Sequence, residues 1–229
     1  MIRKVSRPSD MQTGATRPPA HQVIYRALRE LVLFGDIVPG EPVTIQGLTE
    51  RLGAGMTPVR EAIRRLTAEG ALEFQGNRRV IVPVLTADHI AELIVARAWI
   101  DPQMMMRAAN RMTARDKKNL ANVEKALDEA IQDGDIRRYL EHNYHFHTRI
   151  YGLADAPILA ELAEGLWLRF GPSLRVVCSR MGTEKLPDRH KEIIEALRDN
   201  RPQAAADAIG EDVDEGLEQV RHALLAGQT

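Results

Sequence analysis

A chain of 229 residues with 44% hydrophobic and 28% charged residues can bury one large core or two modest ones. It contains no apolar run of the roughly 18 residues that a membrane helix needs, no apolar stretch behind its basic start, and one cysteine, Cys178. These features exclude a membrane-spanning helix and an internal disulfide, argue against a secretory leader, and fit a reducing cytoplasm. The net charge of −1 hides an asymmetry: residues 1–84 hold 12 Lys/Arg against 8 Asp/Glu, whereas residues 85–229 hold 19 against 24. The first third therefore has the sign needed to meet a polyanion.

Residues 1–19 are polar, Arg/Pro-rich and unpatterned, and are predicted to be a disordered arm. A first helix is expected over 20–34, with Ile24, Ala27, Leu28 and Leu31 inward, before Gly35-Asp36 and Pro39-Gly40 break the pattern. A short second helix over 44–52 turns Leu48 and Leu52 inward and stops at Gly53. The next stretch, GAGMTPVREAIRRLTAEGAL (53–72), predicts a helix with Thr57 as N-cap, Pro58 at its first position and Gly70 as its stop. Val59, Ala62, Ile63 and Leu66 form its apolar stripe, while Arg60 and Arg64 lie one turn apart on another face with Arg65 beside them. Three short helices, with a turn of four or five residues between the last two, describe a helix-turn-helix. Residues 72–75 and 79–83 then alternate around Gly76-Asn77, predicting a hairpin with Arg78 and Arg79 at its tip, which is a wing. Arg60, Arg64, Arg65 and Arg78 are the expected contacts to double-stranded DNA.

From Thr86 onward the pattern is helical: 86–100, a segment from Pro102 to Met112, 113–132 opened by Thr113-x-x-Asp116, 135–151, a helix opened by Asp155 and Pro157 with a kink site at Gly171-Pro172, 187–199, and 202–225. The expected fold is mainly α: a winged helix-turn-helix over 20–84 and an all-α bundle of six or seven helices over 85–229. Met104 to Met106 read as core or interface, and Cys178 as a small buried hydrophobe.

Polar residues interrupt the inner stripes of the bundle. Asn143 and His147 lie one turn apart among Ile136, Leu140 and Ile150; His190 precedes Ile193 and Ile194; Asp212 sits among Ala205, Ile209, Gly216 and Val220. Taken singly, each reads as a satisfied core histidine or a helix-surface carboxylate. Together, Asn143, His147, His190 and Asp212 can close a divalent-metal site with N and O ligands suited to Zn²⁺, Ni²⁺ or Mn²⁺. Arg97, Arg169 and Arg175 are arginines near these stripes that can offer a bidentate fork, although an ion pair with Asp101 is an equal reading for Arg97.

The stretch from Pro39 to Val82 resembles the winged helix-turn-helix of the GntR family of bacterial transcription regulators, with PG at 39–40, LG at 52–53, TPVREA at 57–62, EG at 69–70 and NR at 77–78. It departs at Gly55 and Met56, where the family carries a polar residue and an arginine, and at Arg79, where the family wing has glycine. Arg97-x-x-Ile100-Asp101-Pro102, Asn143-x-x-Phe146-His147 and His190-x-x-Ile193-x-x-Ala196-Leu197 resemble the motifs of the helical FCD effector domain of the FadR-type branch. That resemblance implies a metal set of Asp and three His, of which His147 and His190 are kept while Asn143 and Asp212 replace an Asp and a His. It further implies DNA contacts from Thr57 and Asn77 beside those of Arg60, Arg64, Arg65 and Arg78, and a cytoplasmic homodimer that binds a palindromic operator and responds to a small organic acid whose carboxylate Arg97, Arg169 or Arg175 would clamp. The alternative, a metal-dependent hydrolase or lyase on the bundle, has no HExxH, GxSxG or P-loop in its favour.

Overall fold

The computed structural model describes residues 19–76, 78–183 and 189–226. Asn77, the arm up to residue 18 and the expected helix start at Pro187 lie outside the described residues. The N-terminal part runs α1 (Ala20–Leu33), β1 (Val43–Thr44), α2 (Ile45–Leu52), α3 (Met56–Ala68), β2 (Glu73–Gln75) and β3 (Arg79–Ile81). The expected inner stripe of α3 is buried as a whole: Val59, Ala62, Ile63 and Leu66 are at most 3% exposed and close onto Leu28, Val32 and Leu48 of the same core.

Three local expectations need correction. The turn between α2 and α3 is three residues, Gly53 to Gly55, because Gly53 adopts φ +58° and reverses the chain at once. Helix α3 then begins at Met56 with the extended Gly55 as its cap, so Thr57 lies inside the first turn and is not the N-cap. Pro58 is tolerated there because the first-turn N–H it lacks has no intrahelical partner. The hairpin is also shorter than expected and gains a third strand, in the antiparallel order β1-β3-β2 with Val43 and Phe74 both registered on Val80. Thr44 hid β1, since it ends the strand and also caps α2 by accepting a hydrogen bond from the Gly47 N–H at 3.0 Å.

Six helices follow among the described residues: α4 (Ala87–Ala109), α5 (Ala114–Gln132), α6 (Ile136–Leu153), α7 (Pro157–Met181), α8 (His190–Arg198) and α9 (Pro202–Ala226). Helices α4 and α5 open on capping boxes, Thr86 with His89 and Thr113 with Asp116. Pro102 does not split α4 as expected. A mid-helix proline costs about 3 kcal/mol, but α4 packs along α9 in the most extensive helix pair of the molecule, with Pro102 against Gly210. Likewise α7 continues as one helix through Gly171-Pro172. Gly171 is needed for contact: a Cβ there would meet the Leu33 carbonyl of α1 at 2.4 Å. Met104 and Met105 are fully buried core residues. Cys178 is 1% exposed, and burial pushes its thiol up to about 12, as suits an inert core residue. No described helix is long and apolar enough to cross a membrane.

Helix α1 is also held to the body by charge. Arg29 pairs with Glu164 of α7 at 3.2 Å and donates to the Tyr144 hydroxyl of α6 at 3.2 Å, while Arg137 of α6 pairs with Asp36 and covers the ring of Phe34.

Candidate functional sites

The basic face. Thr57, Arg60, Arg64, Arg78 and Arg79 are exposed. Arg60 and Arg64 share a cleft of about 310 Å³ with Ile45, Ile63 and the wing residues Phe74 and Gly76. With their helix's apolar stripe fixed inward, their own direction is dictated by the 3.6-residue repeat. Arg60, Arg64 and Arg78 form no ion pair among the described residues, so their charges are available to phosphates and base edges. The uncapped N-terminus of α3 adds free N–H groups to the same face. Arg65 is exposed as well, but is engaged within the head. Its guanidinium lies 3.7 Å above the Tyr25 ring, and its Nε donates to Glu69 at 3.0 Å. Tyr25 donates its own hydroxyl proton to Glu69 at 2.8 Å. Arg65 thus ties α3 to α1, because one helical step from Arg64 carries it round to the α1 side.

The buried polar cluster. His147 of α6, His190 at the start of α8 and Asp212 of α9 meet at the centre of the bundle, with one ligand atom from each within 4.8 Å of the others. His147 Nε2 stands 3.3 Å, and His190 Nε2 3.8 Å, from Asp212 Oδ2. Tetrahedral bonds of 2.0–2.2 Å place ligand atoms roughly 3.4 Å apart, so this donor set fits a small divalent cation with little movement. Asn143 lines the same cavity and offers a carbonyl oxygen. The Arg189 N–H donates to Asp212 Oδ1 at 3.2 Å, and its side chain reaches Glu215 at 2.5 Å, which pins α8 to α9. Burial raises the Asp212 carboxyl, yet the facing histidines hold it below its ordinary value.

Arg97 lines the cavity, but as the ion pair that was its second reading. It is 2% exposed, donates twice to Asp101 at 3.2 and 3.0 Å, and its guanidinium lies 4.6 Å from the Trp167 ring centre. Tyr151 also donates to Asp101. Despite burial, which works against both charges, the pair holds Asp101 far below the usual carboxylate range and Arg97 above its ordinary value. Arg169 and Arg175 are not brought to this cavity. Arg169 lies against Gly70 and Arg175 against Gly35, both where the body meets the N-terminal part. Residues 167, 170 and 174 of α7 face the cavity and leave 169 and 175 on another side of the helix. The cavity holds about 40 Å³. That admits an ion and water, well short of the roughly 300–1,000 Å³ of organic-ligand pockets.

Glu124 was missed, and Asp101 was foreseen only as a partner for Arg97. Glu124 of α5 is 4% exposed and its Oε2 lies 2.9 Å from His190 Nδ1; Asp101 Oδ1 lies 3.6 Å from His147 Nδ1. A signal was present for both, since Glu124 interrupts the stripe Leu120, Leu127, Ile131 and Asp101 falls one turn after Arg97.

Comparison with known proteins agrees with both halves. Residues 20–82 match the family of bacterial regulatory proteins of gntR type, and residues 92–215 match the FCD domain. The HTH-type transcriptional regulator McbR of Escherichia coli (strain K12) is 29% identical over 159 residues, 69% of this chain and 72% of that protein. A probable D-xylose utilization operon transcriptional repressor of Paenarthrobacter nicotinovorans is 26% identical over 175 residues, 76% and 77% of the two chains. The solved structure of E. coli McbR/YncC superposes with a TM-score of 0.83 at 24% identity, covering 89% of this chain and 98% of that one. A regulator from Rhodococcus sp. RHA1 gives 0.72 at 23% identity, covering 89% and 98%. These relatives are regulators and not enzymes, which removes the hydrolase or lyase alternative. With a helix-turn-helix that exposes its arginines and an FCD body carrying a buried His/Asp cluster, the chain is a transcriptional regulator of the GntR family, FCD type.

Proposed function

We propose that this regulator acts in the cytoplasm as a homodimer on a palindromic operator, and that a small carboxylate effector, with a divalent metal in the FCD body, sets its DNA affinity. The 20–84 and 85–229 parts would divide this work as DNA-binding head and effector-binding, dimerising body. The observation that carries the reading is the convergence of His147, His190 and Asp212 inside the body, while Arg60 and Arg64 stand on the head with no ion pair among the described residues. A bound cation would give a carboxylate effector a charged partner inside an apolar bundle. Arg97 borders the same cavity, but its charge is already matched by Asp101. At about 40 Å³ the cavity must widen for any organic acid. Trp167, Phe170 and Leu174 line it from α7, and that same helix touches α1 through Gly171 and Glu164. Widening therefore acts on the helix that holds the head, a differential contact of the kind allosteric coupling requires.

The test is fluorescence anisotropy with the protein's own promoter fragment, across a salt series, with and without Zn²⁺ and a panel of small carboxylic acids. A salt-dependent complex whose affinity changes with an acid supports the reading. DNA affinity indifferent to every acid and to metal would overturn the ligand-responsive part. His147→Ala combined with His190→Ala is expected to remove Zn²⁺ binding, read by elemental analysis after dialysis.

A dimer is supported by apolar surface on two neighbouring body helices. Val95 and Trp99 of α4 are 62% and 74% exposed, and Ile158 and Leu162 of α7 are 76% and 54% exposed. Helices α4 and α7 pack on each other, so these side chains stand on adjoining helices available to a second copy. Trp99→Glu is expected to convert the dimer to monomer in sedimentation velocity with unchanged helicity.

A further inference from the structure

Among the described residues, the buried charges around the metal candidate do not sum to zero. Arg97 contributes +1, and Asp101, Asp212 and Glu124 contribute −1 each when ionised, while Asn143 contributes none. With both histidines neutral the centre carries −2, the charge that one divalent cation balances. As Asp101 stands behind His147, Glu124 stands behind His190, but with no arginine paired to it among the described residues. Its Oε2 is 2.9 Å from His190 Nδ1, whereas His190 Nε2 faces Asp212. Its Oε1 is buried with no hydrogen-bond partner among the described residues. A half-satisfied buried carboxylate is costly unless positive charge lies nearby.

We propose that Glu124 is the positioning residue of this centre: it fixes the proton of His190 on Nδ1, so that Nε2 offers its lone pair to a divalent cation, and it supplies the second uncompensated negative charge that matches that cation. The proposal rests on the metal reading of the cluster given above. The chemistry follows from the acceptor. An ionised carboxylate can only accept, so the ring nitrogen beside it must donate. In a neutral imidazole the other nitrogen then carries the lone pair that can bind a metal. Phe146 stacks on the ring with ring centres 3.8 Å apart at 15° and holds its plane in this line. Helix α5 contributes no proposed ligand, so its role at this centre is to aim one.

Two variants separate charge from hydrogen bonding. Glu124→Gln keeps an acceptor but drops the charge; Glu124→Met drops both. Glu129→Gln, on the exposed side of α5, is the control for charge alone. Zn²⁺ affinity, measured by competition with a chromogenic chelator on the full chain, is expected to fall about 10- to 100-fold in Glu124→Gln and at least as far in Glu124→Met, and to stay level in Glu129→Gln. ¹⁵N spectra of metal-free protein, recorded where the imidazoles are neutral, are expected to show the Nδ1–H form of His190 in wild type and its loss in Glu124→Met. A residue that merely fills the core would lower the melting temperature without moving either readout. Zn²⁺ affinity in Glu124→Gln within twofold of wild type overturns the charge role. An Nε2–H form of His190 in the wild type overturns the positioning role. Should the wild type bind no Zn²⁺, the metal reading and the charge role fall together, and the tautomer alone decides whether Glu124 aims the ring.

Discussion

Arg60→Ala is expected to abolish specific DNA binding while circular dichroism and the melting temperature stay unchanged. The side chain is exposed, has no ion-pair partner among the described residues, and projects from the face of α3 opposite Val59, Ile63 and Leu66. Its removal leaves no hole and no orphaned charge, so folding stability should move by less than about 0.5 kcal/mol. A well-placed arginine–base contact is worth roughly 1–3 kcal/mol. In a dimer the loss counts twice, about 2–6 kcal/mol, or roughly 30- to 10⁴-fold in operator affinity. Arg65→Ala is the informative contrast. Arg65 is engaged with Tyr25 and Glu69, so its loss should fall more on the α1–α3 contact than on operator choice. Operator affinity kept in Arg60→Ala, by anisotropy at fixed salt, would remove Arg60 from the interface.

Asp101→Asn is the change expected to damage the fold most. It leaves the Arg97 guanidinium at 2% exposure without its bidentate partner and takes from Tyr151 an ionised acceptor. Breaking one side of a buried pair costs about 3–5 kcal/mol. For a chain of this length each kcal/mol shifts melting by roughly 2–4 °C, so a drop of about 6–20 °C is expected. The sign with pH follows from the depressed Asp101 carboxyl. A carboxylate held below its unfolded value contributes fully above that value, about pH 4, and loses its contribution as pH falls through the folded one. The gap between wild type and Asp101→Asn should therefore stay constant from neutral pH to about pH 5 and narrow below pH 4. A gap that instead widened in acid would show that Asp101 is not ionised in the fold.

Local periodicity made most of the head legible. The stripe of α3 and the Gly76 turn each follow from neighbours in sequence, as do the boundaries of α5 and α6. Where reading failed, a long-range contact or an earlier local turn had overruled a residue-type rule. Pro102 would end an isolated helix, but α4 continues because α9 packs along it. Thr57 is the better cap by type, but Gly53 turns the chain early enough for Gly55 to take that place. The two-residue strand at Val43–Thr44 exists only because β3 lies beside it.

The candidate centre divides in the same way. That Asn143, His147, His190 and Asp212 face inward was set by the sequence alone, because a helical repeat of 3.6 residues aligns each with apolar neighbours. What stands behind them was decided by the tertiary structure. Glu124 and His190 are 66 residues apart, and only the packing of α5 on α8 brings them to 2.9 Å. Arg97, Arg169 and Arg175 looked alike as arginines on helices. One is locked beneath the surface on Asp101, and two lie against the head, because the angle at which α7 presents each residue depends on what α7 is packed between. Periodicity fixes direction relative to a residue's own helix; direction relative to other helices is a property of the assembled bundle.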